Sequence, residues 1–263
     1  MVSPKVVAIG NKKGGVAKTT TCLSLGSCLA SLGKRVLLID LDPEAHLTLS
    51  VSLNPRRLRR AVGDAFLSGV PLSHVIYGTS MPSLDLVPAN QALEVVGRWL
   101  HARPGYEYLL KRSLAAFQDA EYDWVLVDCP PSGGVLTLNA FTAADLLIIP
   151  TPCEYYASRS LQNALEMVRQ VRQQTNPGLA YRVLITLYDR RNRISFLIRQ
   201  QLEGAFAGAM FKTVIEVDTR LRESPTCGLP IVLYAPATRG ARQYLALARE
   251  LLTHGQKNPS AAA

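Results

Sequence analysis

The 263-residue chain has no C-x-x-C pair, no apolar run of bilayer length and fewer acids than bases. Its five cysteines, Cys22, Cys28, Cys129, Cys153 and Cys227, are scattered and odd in number. That argues against a disulfide framework or a zinc site and fits a reducing cytosol. Apolar stretches such as residues 146–150 have strand length, whereas a spanning helix needs about 20 residues. No signal-peptide pattern is visible, because a charged, glycine-rich stretch begins at residue 10. A soluble, cytoplasmic protein is expected. No internal repeat is present. The small, polar end at 255–263 is expected to be frayed, leaving residues 1–254 as a single domain.

The shortage of acids leaves a net charge of +9, from 29 Lys and Arg against 20 Asp and Glu. Such a balance suits a polyanionic partner, nucleic acid or an acidic membrane surface, but says little about fold. Hydrophobic residues make up 48% of the chain, enough for a buried core.

Strand-like and helical patterns alternate. Residues 6–9, 35–40, 84–88, 124–128, 146–150 and 181–186 read as strands, and 19–32, 161–174 and 195–206 as helices. The strands are continuous β-branched runs without polar alternation, as expected when both faces of a sheet are covered. The pattern predicts a doubly wound α/β fold, a mostly parallel sheet flanked by helices, with ligands at the carboxyl ends of its strands.

Between the first strand and the first helix lies Gly10-Asn11-Lys12-Lys13-Gly14-Gly15-Val16-Ala17-Lys18-Thr19-Thr20-Thr21. A strand, a glycine-rich turn and a helix N-terminus together make a phosphate cradle, with backbone N–H groups of residues 14–20 turned inward. Lys18 would reach the β- and γ-phosphates, and the Thr19 hydroxyl would ligate Mg²⁺. The common pattern G-x-x-x-x-G-K-[ST] nevertheless fails twice, at Lys12 and Ala17. Two further strands end in acids: Val125-Leu126-Val127-Asp128 and Leu38-Ile39-Asp40-Leu41-Asp42. Carboxylates there can hold a metal and orient a water on the γ-phosphate.

Lys13-Gly14-Gly15-Val16-Ala17-Lys18-Thr19-Thr20 resembles the deviant Walker A box K-G-G-x-x-K-[ST] of the ParA/MinD ATPases, a group of P-loop NTPases. "LLIDLDPEAHLT" resembles that family's switch segment. "DCPPSGGVLTLNAFTAAD", "PTPCEYYASRSL" and "RLRESPTCGLPIVLYAPATRGARQYLALARELL" resemble the ParA/Soj branch, in its form without an added N-terminal DNA-binding domain. The resemblance spans residues 5 to about 253. It implies ATP and Mg²⁺ as ligands, with Lys13, Gly14, Gly15, Val16, Ala17, Lys18, Thr19 and Thr20 on the nucleotide. Lys13 would act across a homodimer interface on the partner's ATP, Lys18 would be the loop lysine and Asp42 the hydrolytic switch residue. Thr19, Asp40 and Asp128 would lie at the metal. The segment holding Glu216 and Asp218 falls where the branch reads adenine. Arg191 and Arg220 fall where it contacts nonspecific double-stranded DNA. A ParB-like protein would stimulate hydrolysis, and the protein would be nucleoid-associated.

Two departures stand out. Ala17 replaces the glycine that usually precedes the lysine; with Lys-Thr-Thr intact, the position is expected to be near-helical, where a methyl is harmless. Glu44-Ala45-His46 replaces the usual Gln-Gly-Asn. A MinD-like membrane-positioning ATPase is the alternative, but residues 256–263 lack the basic amphipathic helix it would need. An iron-protein-like enzyme would need bridging cysteines, whereas Cys129 and Cys153 are expected to be core thiols. A decayed, purely DNA-binding module is at odds with the complete set Lys18, Thr19, Asp42 and Asp128.

Overall fold

A computed structural model describes residues 3–101, 103–116 and 122–254, so the tail at 255–263 lies outside the described residues. Seven strands occur among the described residues: β1 (Lys5–Ile9), β2 (Val36–Asp40), β3 (Tyr77–Gly78), β4 (Leu84–Val87), β5 (Trp124–Asp128), β6 (Leu146–Pro152) and β7 (Ala180–Thr186). They form one sheet in the order β3-β4-β2-β5-β1-β6-β7. Every neighbouring pair is parallel except β3 with β4. The six longer strands are those the apolar runs predict. Strand β3 is two residues long, too short to carry a periodic signal.

Alternate residues of each strand supply opposite faces. Leu37 and Ile39 of β2, Val125 and Val127 of β5, and Leu147 and Ile149 of β6 join one cluster. That cluster also holds Phe66, Val96, Phe141, Leu161 and Leu202 from helices Val62–Ser68, Ala92–Leu100, Val135–Ala143, Ala157–Gln174 and Arg193–Phe206. Val36 and Leu38, Leu126 and Ile148 face a second cluster with Leu25 and Leu29 of helix Lys18–Ser31 and Tyr244 and Leu247 of helix Arg239–His254. Burying each such Leu or Ile contributes about 2 kcal/mol. The sheet is therefore covered on both sides, which is why its strands read as unbroken apolar runs.

Helices Ala157–Gln174 and Arg193–Phe206 begin before the residues expected from sequence. In the second, the Asn192 side chain accepts the Ile194 N–H at 2.9 Å and sets the start. The parallel register brings the carboxyl ends of β1, β5 and β2 side by side: Ile9 is opposite Asp128, and Asp128 opposite Asp40.

Candidate functional site

The loop after β1 is pinned at both limbs. Asn11 is buried, donates through Nδ2 to the Pro150 carbonyl at 2.8 Å, and accepts from Lys13 N at 3.0 Å and Ser160 Oγ at 2.8 Å. Val16 is buried, and its carbonyl accepts the Thr186 hydroxyl at 3.1 Å. Between these anchors Gly14 and Gly15 remain exposed, with Gly15 at φ 72°. Val16 can therefore meet a ligand only through its backbone.

Ala17, at the N-cap of helix Lys18–Ser31, has φ 68° and ψ 34°. The near-helical conformation expected for it is not adopted. The chain needs a left-handed residue to enter the helix, and Ala17 supplies it with a Cβ in a region that disfavours one. Ala45, at the N-cap of helix His46–Leu49, has φ 55°. Both positions where alanine stands for the glycine of the resembled motifs are thus left-handed here. Ala17→Gly relieves the clash but loosens the unfolded chain, so a net gain of about 0.5–1 kcal/mol is expected. Thermal unfolding checks this; an Ala17→Gly protein that melts below wild type contradicts it.

Lys18 is buried, and its Nζ donates to the Lys13 carbonyl at 3.0 Å. Burial lowers its pKa from the ordinary lysine range, opposed by Asp128, Cys129 and Asp42. Thr19 Oγ1 donates to Asp128 Oδ2 at 2.7 Å, while Asp128 Oδ1 is buried without a hydrogen-bond partner. Burial, then the neighbouring Asp40, raises the Asp128 carboxyl well above the usual range. A buried carboxylate with one free oxygen, beside a hydroxyl and a phosphate cradle, suits a hard cation such as Mg²⁺, which takes one or two protein oxygens plus phosphates.

Asp40 differs. Its Oδ1 accepts Asp42 N at 3.0 Å, and its Oδ2 accepts Thr48 N at 2.9 Å and Thr48 Oγ1 at 2.7 Å. Burial raises it to about 6 against these bonds. Expected at the metal, it lies next to Asp128 in register, but its oxygens are engaged in holding residues 42–48. The Thr48 hydroxyl also accepts the Ala89 N–H at 3.0 Å. Asp42 is nearly buried and its Oδ1 accepts Glu44 N at 3.1 Å.

Gly14, Lys18, Thr19 and Asp42 line a cavity of about 680 Å³, together with Leu187, Ile215 and Tyr244, while Asp40, Thr48 and Asp128 are fully buried and do not line it. Glu216 and Asp218 also line it. Their carboxylates are committed: Glu216 to Arg190, Arg239 and Gln243, Asp218 to the backbone of Arg220 and Gly240. A base in this pocket would meet backbone and apolar surface there. Lys13 lies outside the lining and pairs with Glu154.

Arg191 and Arg220 lie outside the pocket. Arg191 is 88% exposed and bidentate on Asp189, whose carboxyl it holds down at about 2 through hydrogen bonds. Arg220 is half-exposed and pairs with Glu223 at 2.7 Å. Four cysteines, Cys129 and Cys153 among them, are buried; burial raises Cys153 to about 11. Sequence reasoning missed Asn11, Thr48, Glu154 and Tyr244. All four sit inside the quoted stretches, but the sequence does not show which partner each meets: the Tyr244 hydroxyl lies 3.0 Å from Thr21 Oγ1, 223 residues away in the chain.

A family model described as an AAA domain matches residues 4–181. The sporulation initiation inhibitor protein Soj of Bacillus subtilis is 40% identical over 254 residues, 95% of this chain and 99% of that protein. The chromosome partitioning protein ParA of Caulobacter vibrioides is 36% identical, covering 98% of both chains. The chain belongs to the ParA/Soj family of partition ATPases. Its fold matches a crystal structure named cobyrinic acid a,c-diamide synthase from Mycobacterium smegmatis, which holds an ATP analogue and magnesium. The TM-score is 0.86 at 37% identity, over 97% of this chain and 96% of that one. At Ala17 and Ala45, where the motifs it resembles carry glycine, this member holds a left-handed backbone with alanine. Among the described residues no helix is long and apolar enough to cross a membrane.

Proposed function

We propose that this chain is an ATP-driven switch of DNA partition: it binds ATP with Mg²⁺, dimerises around it, and in that state holds nonspecific double-stranded DNA. The observation that carries this reading is the convergence of Lys18, Thr19 and Asp42 on one pocket at the carboxyl ends of β1, β2 and β5, with Asp128 hydrogen-bonded to Thr19 beside it. Residues Gly14 to Thr20 wrap the phosphates with their backbone N–H groups, and Lys18 contacts the β- and γ-phosphates. Thr19 and Asp128 hold the Mg²⁺, which neutralises charge on those phosphates. Asp42 orients the attacking water.

Lys13 leaves Glu154 to reach the nucleotide of a second copy. Its exposed ion pair is worth at most about 1 kcal/mol, so a phosphate can displace it. Arg191 and Arg220 bind DNA phosphates in the same way, exchanging Asp189 and Glu223 for the duplex. A ParB-like protein accelerates hydrolysis and releases the dimer, so the γ-phosphate decides whether DNA is held. The protein is cytoplasmic and sits on the nucleoid.

The deciding experiment measures retention on nonspecific DNA with ATP, ADP or no nucleotide, with and without a ParB-like protein. Dimerisation and retention are expected with ATP alone, and binding indifferent to nucleotide refutes the switch. Arg191→Ala and Arg220→Ala are each expected to keep ATP and to lower the salt slope of DNA binding by about 1. An unchanged slope removes that arginine from the DNA surface.

A further inference from the structure

The segment between the switch residues and helix Val62–Ser68 reads Asn54-Pro55-Arg56-Arg57-Leu58-Arg59-Arg60, four arginines in five positions. All four are exposed, and none of the four guanidinium groups makes an ion pair or hydrogen bond among the described residues. This sets them apart from Arg191, Arg220, Arg190, Arg239 and Arg199, each of which faces a carboxylate. The loop itself is held by its backbone. Arg56 N and Arg57 N donate to Asn54, at 3.0 and 2.9 Å, and Tyr77 Oη donates to the Arg60 carbonyl at 3.2 Å. Leu58 between them is half-buried.

Its position ties it to two other features. A Cβ on Gly228 would lie 1.7 Å from Ser52 Oγ, so the root of the loop packs on the turn after Ser224–Cys227, next in the chain to the helix carrying Arg220 and Arg222. Arg56 also lines a surface hollow with Pro43, Glu44 and Leu49, which follow Asp42 in the switch segment. A basic loop can serve solubility alone. Here, however, like charges are crowded on a fixed backbone beside the helix that carries Arg220 and Arg222, and although Glu44 shares the hollow with Arg56, no carboxylate among the described residues is ion-paired to any of the four.

We propose that Arg56, Arg57, Arg59 and Arg60 form a contact to the phosphate backbone of duplex DNA, continuing the surface that bears Arg220. The inference rests on the DNA-holding reading above. Five residues reach at most about 17 Å, against one negative charge per ~1.7 Å of duplex axis, so the four guanidinium groups meet several phosphates together. A membrane is the poorer fit, because the loop is not an amphipathic helix and its one apolar side chain is turned partly inward.

The test uses the full chain with ATP and a linear duplex of arbitrary sequence, at several salt concentrations. The variants are R56Q/R57Q/R59Q/R60Q, the corresponding fourfold Arg→Lys protein, and the doubles R56Q/R57Q and R59Q/R60Q. Each lost phosphate contact lowers the slope of log K against log salt by about 0.9. The fourfold Gln protein is expected to lose roughly 2–4 units of slope and at least about tenfold in affinity at ~0.1 M salt, while the Lys protein keeps the slope. The doubles, each losing about 1–2 units, carry the result if the fourfold protein does not fold. Wild-type slope in the Gln variants overturns the loop's role alone. Loss of binding to vesicles of phosphatidylserine, with DNA binding intact, overturns it in favour of a membrane. A wild-type chain that holds no DNA in any nucleotide state overturns both this and the reading beneath it.

Discussion

Asp42→Ala is expected to slow ATP hydrolysis by about 100-fold or more while leaving ATP bound, so that the dimer and its DNA complex accumulate. The size follows from what a positioned carboxylate contributes to proton and water handling in hydrolysis, roughly 10²–10⁴-fold. Binding survives because Asp42 is neither the residue that bonds Thr19 nor the one that reaches phosphate. Its bonding partner is Glu44 N, and losing that turn bond costs only about 1 kcal/mol. Single-turnover hydrolysis and the dimer fraction, measured together, decide the matter. A variant that turns over normally takes Asp42 out of catalysis, and one that no longer binds ATP makes it a binding residue instead.

The second large effect is a trade. Asp128→Asn is expected to stabilise the chain in the presence of a chelator and to weaken Mg²⁺-ATP. Asp128 is fully buried, has Oδ1 unpartnered, and shares its surroundings with Asp40 and Asp42. Removing an unpaired buried charge returns about 1–3 kcal/mol, or roughly 2–12 °C in Tm for a chain of this size. Asparagine still accepts the Thr19 hydroxyl, yet it cannot neutralise a cation, and an approximately 10–100-fold loss of metal-dependent affinity follows.

The gap has a pH signature. An acid whose folded pKa is raised is best tolerated while protonated, so its favourable state holds at low pH and is lost as pH climbs past about 4, the ordinary carboxylate value. The advantage of Asp128→Asn over wild type should therefore widen with rising pH. Denaturation in chelator at several pH values reads it; a variant less stable than wild type throughout means Asp128 is satisfied without metal.

Much of this was legible because the relevant chemistry is local in sequence. Six strands announced themselves through unbroken apolar runs; Asp128 ends β5, Asp42 sits two residues past β2, and Lys18 and Thr19 open the helix that follows the glycine-rich loop after β1. The parallel register then brings those ends together without any further choice. What sequence could not carry was the commitment of each polar atom. Asp40 and Asp42 look equivalent in Asp-Leu-Asp, yet one has its oxygens filled by Thr48 and its neighbour's backbone, and the other faces the cavity. Glu216 and Asp218 could each read adenine by position, but their carboxylates accept from Arg190, Gln243 and the backbone of Gly240, 22 to 27 residues away, as well as from the nearby Arg220 N. The backbone sign of Ala17 was equally hidden. Nothing in Val-Ala-Lys states φ; only the angle at which β1 meets the helix does.

The bonds around Thr48 constrain how motion can leave the pocket. Its hydroxyl donates to Asp40 at the end of β2 and accepts from Ala89 just past β4, so it is riveted to two strands of the sheet. A segment clamped at that point cannot slide as a whole; it can only pivot. Displacement at Asp42 must then emerge as rotation on the far side of the rivet, through Leu49 and Ser52. The short run to Arg56 becomes the outer arm of a lever whose inner arm is Asp42, in the wall of the cavity.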